Sequence, residues 1–184
     1  MIEENKGNRR SIRLQAYDYS EAGMYYITIC TKDKAFLFGN IQEGNMITSN
    51  RGKIVEATLL NISKRFPQVL LDEYIIMPNH IHFIIQIVGA IPCGRPPTLG
   101  KIIGAFKSES VYNYLQYIKK YSLKESCLLW QRNYYEHVIR NDEDLERIRE
   151  YIQMNPLQWK QDSENPENIK KEQGRPQGIA PTKL

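Results

Sequence analysis

The side chains best suited to chemistry in this sequence are His80 and His82, separated by Ile81, and, far downstream, Tyr151 with Asn155. In an extended strand alternate residues share a face, so the two histidines point one way while Ile81, Phe83, Ile85 and Ile87 point the other. Imidazoles separated by about 7 Å of strand can grip one divalent cation. The same pair also reads as two polar groups on a half-exposed strand. Two histidines leave a metal site incomplete, so a further ligand and a reacting group are needed. Tyr151 and Asn155 stand four residues apart and are neighbours on one helical face. An Asn carboxamide oxygen suits a hard ion such as Mg²⁺ or Mn²⁺. A phenol, with an ordinary pKa of about 10, becomes a nucleophile once deprotonated or polarised. Against this, a Tyr on the edge of an amphipathic helix also serves as core, and an Asn before Pro156 as a helix terminator. A small metal hydrolase built on the histidines would need acidic ligands and a general base. Only Asp72 and Glu73 on the preceding strand could supply them.

The elements that must position these groups follow from periodicity. Residues 24–31 (MYYITICT) have the aromatic and β-branched composition of a strand, and a second strand is expected at 35–41, with a turn at Gly44-Asn45. Val55, Leu59, Ile62 and Phe66 recur at helical spacing, which predicts a helix over 53–66 ended by Pro67. Strands are expected over 71–77 and 80–88, then a Gly/Pro-rich loop over 89–100. A long helix follows over 101–121 with Ile103, Phe106, Tyr114 and Ile118 on its buried side. Residues 128–140 read as strand. Asn141 caps a helix whose first turn is acidic (Asp142, Glu143, Asp144) and which ends at Asn155 because Pro156 follows. Strands and helices in this order favour an α+β fold: a mainly antiparallel sheet with helices packed on one side, close to the ferredoxin-like split βαβ plan.

Composition narrows the setting. With 184 residues the chain has the size of one domain plus a tail, and 41% hydrophobic residues can form a core. No apolar run reaches the roughly 18 residues of a membrane span, and the first ten residues lack a signal peptide's apolar stretch. Lys and Arg number 25 against 21 Asp and Glu, a net charge of +4 that permits nucleic acid as a partner without demanding it. Cys30, Cys93 and Cys127 are odd in number and lack CxxC spacing, which argues against a disulfide scaffold and fits a reducing cytoplasm. Three segments are expected: a basic arm over 1–12, a folded domain over 13–159, and a disordered polar tail over 160–184 that is dispensable for activity.

The strings YIIMPNHIHFIIQI and LWQRNYYEHVIRNDEDLERIREYIQMNPLQW, in that order, resemble the REP-associated tyrosine transposases of the HUH superfamily of single-strand DNA transposases. The likeness runs from about Arg13 to Trp159. It implies that His80 and His82 hold Mg²⁺ or Mn²⁺, that Tyr151 is the nucleophile, and that Asn155 occupies the position of a further metal ligand. Relatives carry the longer Gln there. Tyr134 and Tyr135 are rivals to Tyr151 but belong to the strand motif. His137 matches a histidine of that motif with no implied metal role. The implied reaction is cleavage and rejoining of single-stranded DNA beside palindromic hairpins, through a 5′-phosphotyrosine link, by a monomer acting in the cytoplasm at the nucleoid. The absence of a phosphate-cradling GxxxxGK[ST] motif agrees with a reaction that conserves phosphodiester energy without ATP.

Phosphate contacts are expected from Arg9, Arg10, Arg13, Arg95, Lys101, Lys107 and Arg132, with further lysines at 119 and 120, and base stacking from some of the twelve tyrosines. The competing class is a ferredoxin-like module that binds single-stranded DNA or RNA with its catalytic site unused, as in a domesticated regulator.

Overall fold

A computed structural model describes residues 22–88 and 97–169 of the chain. Within them, β1 (Gly23–Cys30) is followed by a hairpin of β2 (Gly39–Gln42) and β3 (Asn45–Thr48), and by helices α1 (Asn50–Leu60) and α2 (Ile62–Arg65). Strands β4 (Val69–Ile76) and β5 (His80–Ile87) come next. The long helix α3 (Leu99–Lys120), strand β6 (Tyr135–Ile139), helix α4 (Asp142–Met154) and the short α5 (Pro166–Ile169) complete the order. Four strands form one sheet in the order β4-β5-β1-β6, and every neighbouring pair is antiparallel. Each βαβ crossover is thus split by a strand of the other, which is the ferredoxin-like plan and makes the protein α+β.

Alternation along β1 and β5 sorts side chains onto two faces. Tyr25, Ile27 and Ile29 join Ile81, Phe83, Ile85 and Ile87 beneath α1 and α3, whose Val55, Leu59, Ile103 and Phe106 close the main core. Tyr26, Ile84 and Ile139 face the opposite way and meet Leu145, Ile148 and Ile152 of α4. Helices therefore cover both faces, where one was expected. The reason is in β5: Ile84 makes the histidine face apolar as well, and an apolar sheet face has to be covered. The helices begin as their sequences require. The side chains of Ser49, Thr98 and Asn141 accept hydrogen bonds from the amides of Gly52, Lys101 and Asp144 respectively.

Some boundaries differ from expectation. The hairpin turn is Glu43-Gly44, both with positive φ (50° and 77°), the left-handed pair that a two-residue turn between twisted strands requires. The stretch expected as strand over 128–140 pairs regularly only over β6, preceded by one isolated bridge from Trp130 to Thr31. β4 carries a bulge between Leu71 and Tyr74. Its extra residue lets Asp72 and Glu73 both reach α4, where they meet Arg149 and Gln153.

The larger correction concerns residues 160–169, assigned from composition to a disordered tail. They form a 3-10 turn ending at Gln161 and helix α5, with Asp162 and Asn165 buried. Few apolar groups are needed, because side-chain hydrogen bonds fasten the segment: Asn165 Nδ2 to the Trp159 carbonyl, and Asn168 Nδ2 to the carbonyls of Lys160 and Asp162. The rest of the expected tail, the expected arm over 1–12, and Arg13 and Arg95 lie outside the described residues.

Candidate active site

The site lies on the α4 face of the sheet, where β1 and β5 run side by side. Register places Cys30 opposite His80 and Thr28 opposite His82. Both imidazoles are buried, and their Nε2 atoms converge to 2.9 Å. Asn79 sets the orientation of His80. The Asn79 Nδ2 donates to the carbonyls of Glu164 (2.8 Å) and Lys34 (3.3 Å), so its Oδ1 faces His80 Nδ1 at 2.8 Å and receives that N–H. The Nε2 lone pair of His80 is thereby aimed into the gap. His82 Nδ1 sits between two hydroxyls, Tyr26 at 2.7 Å and Thr28 at 2.9 Å. Burial holds both imidazoles well below their ordinary pKa; the Lys34 charge adds to the effect at His80, and His80 adds to it at His82. Neutral imidazoles are the form that ligates metal.

Asp162 brings a carboxylate to the same place. Its Oδ2 is 4.0 Å from His80 Nε2, and one ligand atom from each of His80, His82 and Asp162 lies within 4.8 Å of the others. Nitrogens 2.9 Å apart match the edge of an octahedron with bonds of about 2.1 Å, close to 3.0 Å, so the pair fits a six-coordinate divalent ion. Asn155 completes the cluster: its Nδ2 donates to Asp162 Oδ2 at 2.8 Å, while its Oδ1 is buried without a partner.

α4 delivers Tyr151 to the edge of this cluster. Leu145, Ile148 and Ile152 bury one stripe of the helix, and Tyr151 and Asn155 lie along its border. The Tyr151 ring packs edge-on to His82 with centroids 5.4 Å apart, and to Tyr26 at 6.3 Å. Burial pushes the phenol well above its ordinary pKa, the Asp162 carboxylate adds to the shift, and the Asn155 amide opposes it. The four residues singled out from spacing therefore stand together.

The other candidates divide. Tyr135 shares the α4 face and packs on Tyr26 at 6.3 Å, while Tyr134 packs against the main core. His137 pairs with Asp144 of α4 at 2.7 Å and so ties β6 to that helix. Lys101 and Arg132 are exposed, as a phosphate contact requires. Lys107 is not: its ammonium donates to the carbonyls of Gln131, Arg132 and Asn133 at 3.0–3.3 Å, which uses all three of its N–H groups. Burial pushes its pKa down to about 8. Asp72 and Glu73 face α4 at the far edge strand and do not join the histidines.

Sequence reading missed Tyr26, Thr28, Asn79 and Asp162. The first two carry a signal in retrospect, since period-2 alternation puts them on one face of β1. Asp162 carries none, standing in a run of polar residues with no periodicity.

Comparisons with known proteins bear on the family and the fold. The family model described as "Transposase IS200 like" matches residues 23–155. An uncharacterized protein of Haemophilus influenzae is 41% identical over 173 residues, covering 84% of this chain and 92% of its own. A second H. influenzae protein, named "Putative REP-associated tyrosine transposase", is 24% identical over 142 residues, covering 76% and 73%. The solved structure of a REP-associated tyrosine transposase bound to a REP hairpin shares the fold, with a TM-score of 0.51 at 17% identity, over 82% of this chain and 74% of that one. A family match that takes in β1, the histidine strand and all of α4 covers most of the described structure, and the chain belongs to the IS200-like transposases.

Proposed function

We propose that the protein cleaves and rejoins single-stranded DNA beside palindromic hairpins, with Tyr151 as nucleophile and a divalent cation at His80 and His82. The observation that carries this reading is the Tyr151 ring against His82, on the buried face where two Nε2 atoms converge. Tyr151 Oη would attack phosphorus, forming a Tyr–O–P bond to the 5′ side and breaking the P–O3′ bond. The phenolic proton passes to solvent as that bond forms, and the departing 3′-oxygen takes a proton from solvent to leave as a hydroxyl. A second 3′-hydroxyl then reverses the step on a new strand. His80 and His82 would hold a Mg²⁺ or Mn²⁺ ion, which would supply charge stabilisation at the scissile phosphate. Asn155 favours the ionised phenol, and Tyr26 and Thr28 hold the His82 ring. Exposed Lys101 and Arg132 would hold the strand, aided by Arg9, Arg10, Arg13 and Arg95. The fold carries these groups on one chain, which supports a monomer working in cis, and no described helix is long and apolar enough to cross a membrane.

The test mixes protein, Mg²⁺ or Mn²⁺ and a labelled hairpin oligonucleotide, and looks for a protein–DNA adduct that survives denaturation. Tyr151→Phe should abolish the adduct and keep hairpin affinity, while Tyr134→Phe and Tyr135→Phe should still form it. An adduct formed by Tyr151→Phe would remove Tyr151 from its role. The burial of both imidazoles and of the phenol favours one alternative, a single-strand nucleic-acid-binding module with the site unused. Hairpin binding with no adduct in either metal would identify it.

A further inference from the structure

Asp162 is 6% exposed, and its contacts are unusual for a buried carboxylate. Oδ2 accepts from Asn155, Oδ1 accepts from the Glu164 amide, and His80 stands 4.0 Å away. Among the described residues no Lys or Arg pairs with it, and the neighbouring Lys34 ammonium is committed to Glu164 at 2.9 Å. A buried carboxylate is ordinarily paired with a cation or coordinates a metal. Asn155 Oδ1, beside it, is a buried acceptor without a partner. Two imidazole nitrogens, a carboxylate and an unsatisfied amide oxygen thus converge on one buried pocket.

Resting on the reading of the histidine pair as a metal site, we propose that Asp162 is the third protein ligand of the cation and that Asn155 is the residue positioning it. The segment 159–165 is then clamped to the sheet by the metal. A carboxylate is a stronger ligand for a hard divalent ion than a neutral amide. One Asn155 N–H orients Asp162 Oδ2, the part an outer partner plays towards a ligating carboxylate. Neighbouring bonds hold the segment in register for this. Glu164 accepts from Cys30 and pairs with Lys34, its carbonyl accepts from Asn79, and the Trp159 ring lies 6.0 Å from that of His80.

The experiment titrates Mn²⁺ into the full chain by calorimetry, without DNA, with melting curves confirming the fold of each variant. Asp162→Asn keeps the shape and removes the charge, and Asp162→Ala removes the ligand. Both should weaken binding by about a hundredfold or more, and Asn155→Ala by about tenfold, the range for a group that orients a ligand. In a Trp130→Phe background, Trp159 fluorescence should change with the calorimetric midpoint, and Asp162→Asn should abolish that change. Wild-type-like Mn²⁺ affinity in both Asp162 variants, or a Trp159 signal indifferent to saturating Mn²⁺, would overturn the proposal. So would an Asn155→Ala loss as large as that of Asp162→Ala, which would make Asn155 the ligand. Mn²⁺ bound through Asp162 without any DNA adduct would retain this inference and remove the proposed activity. An adduct formed with undiminished Mn²⁺ affinity in Asp162→Asn would do the reverse.

Discussion

Asp72→Asn probes how the sheet holds the helix that carries Tyr151. Arg149, two positions before Tyr151 on α4, donates from Nε to Asp72 Oδ1 at 2.8 Å and from Nη2 to Oδ2 at 2.6 Å, a bidentate pair. The side chains are 32% and 24% exposed, so the pair is neither fully screened nor dry. Exposed pairs contribute roughly 0–1 kcal/mol and hydrogen bonds to charged groups roughly 1.5–3, so we expect a loss of about 1 kcal/mol after discounting for solvent. For a domain of this size that lowers Tm by about 3 °C. The pH dependence has a definite sign. The Arg149 guanidinium holds the Asp72 carboxyl below its ordinary range. The contribution is therefore complete above the ordinary carboxylate pKa of about 3.9 and fades as pH falls through the lower folded value. Asp72→Asn should abolish that acid-side component. Urea unfolding at neutral and acid pH, in a double-mutant cycle with Arg149→Gln, measures it. Adduct formation should slow as α4 loosens, while Mn²⁺ affinity should fall by no more than the roughly tenfold expected of Asn155→Ala, because His80, His82 and Asp162 lie outside α4. A coupling energy within about 0.3 kcal/mol of additivity at neutral pH would refute the clamp.

Other perturbations follow from the placement of single groups. Lys107→Met leaves three carbonyls of the 131–133 loop without their donor, so it should lower stability by about 2 kcal/mol and leave the salt dependence of DNA binding unchanged. Lys101→Ala should do the opposite, keeping stability and reducing the slope of log affinity against log salt by about one. A chain ending at Ile169 should bind Mn²⁺ as the full chain does, and one ending at Gln158 should bind it poorly. Equal affinities for the two truncations would place the third ligand outside the 159–169 segment.

Local geometry made much of the site legible in advance. The two-residue repeat of a strand put His80 and His82 on one face before any partner strand was known. The Asn141 cap, the acidic turn after it and Pro156 bracketed α4, and helical spacing joined Tyr151 to Asn155. These are properties of a few consecutive residues, and they hold wherever the element packs. Tertiary structure alone decided the rest. It put α4 on the face opposite α1 and α3, turned Lys107 inward onto a loop, and set Tyr26 and Thr28 of β1 against His82. It also folded Asp162 back beneath Asn155. Hydrophobic periodicity is blind to Asp162, because its segment is fastened by hydrogen bonds and ion pairs to residues distant in the chain, and such bonds leave no repeat in a linear sequence.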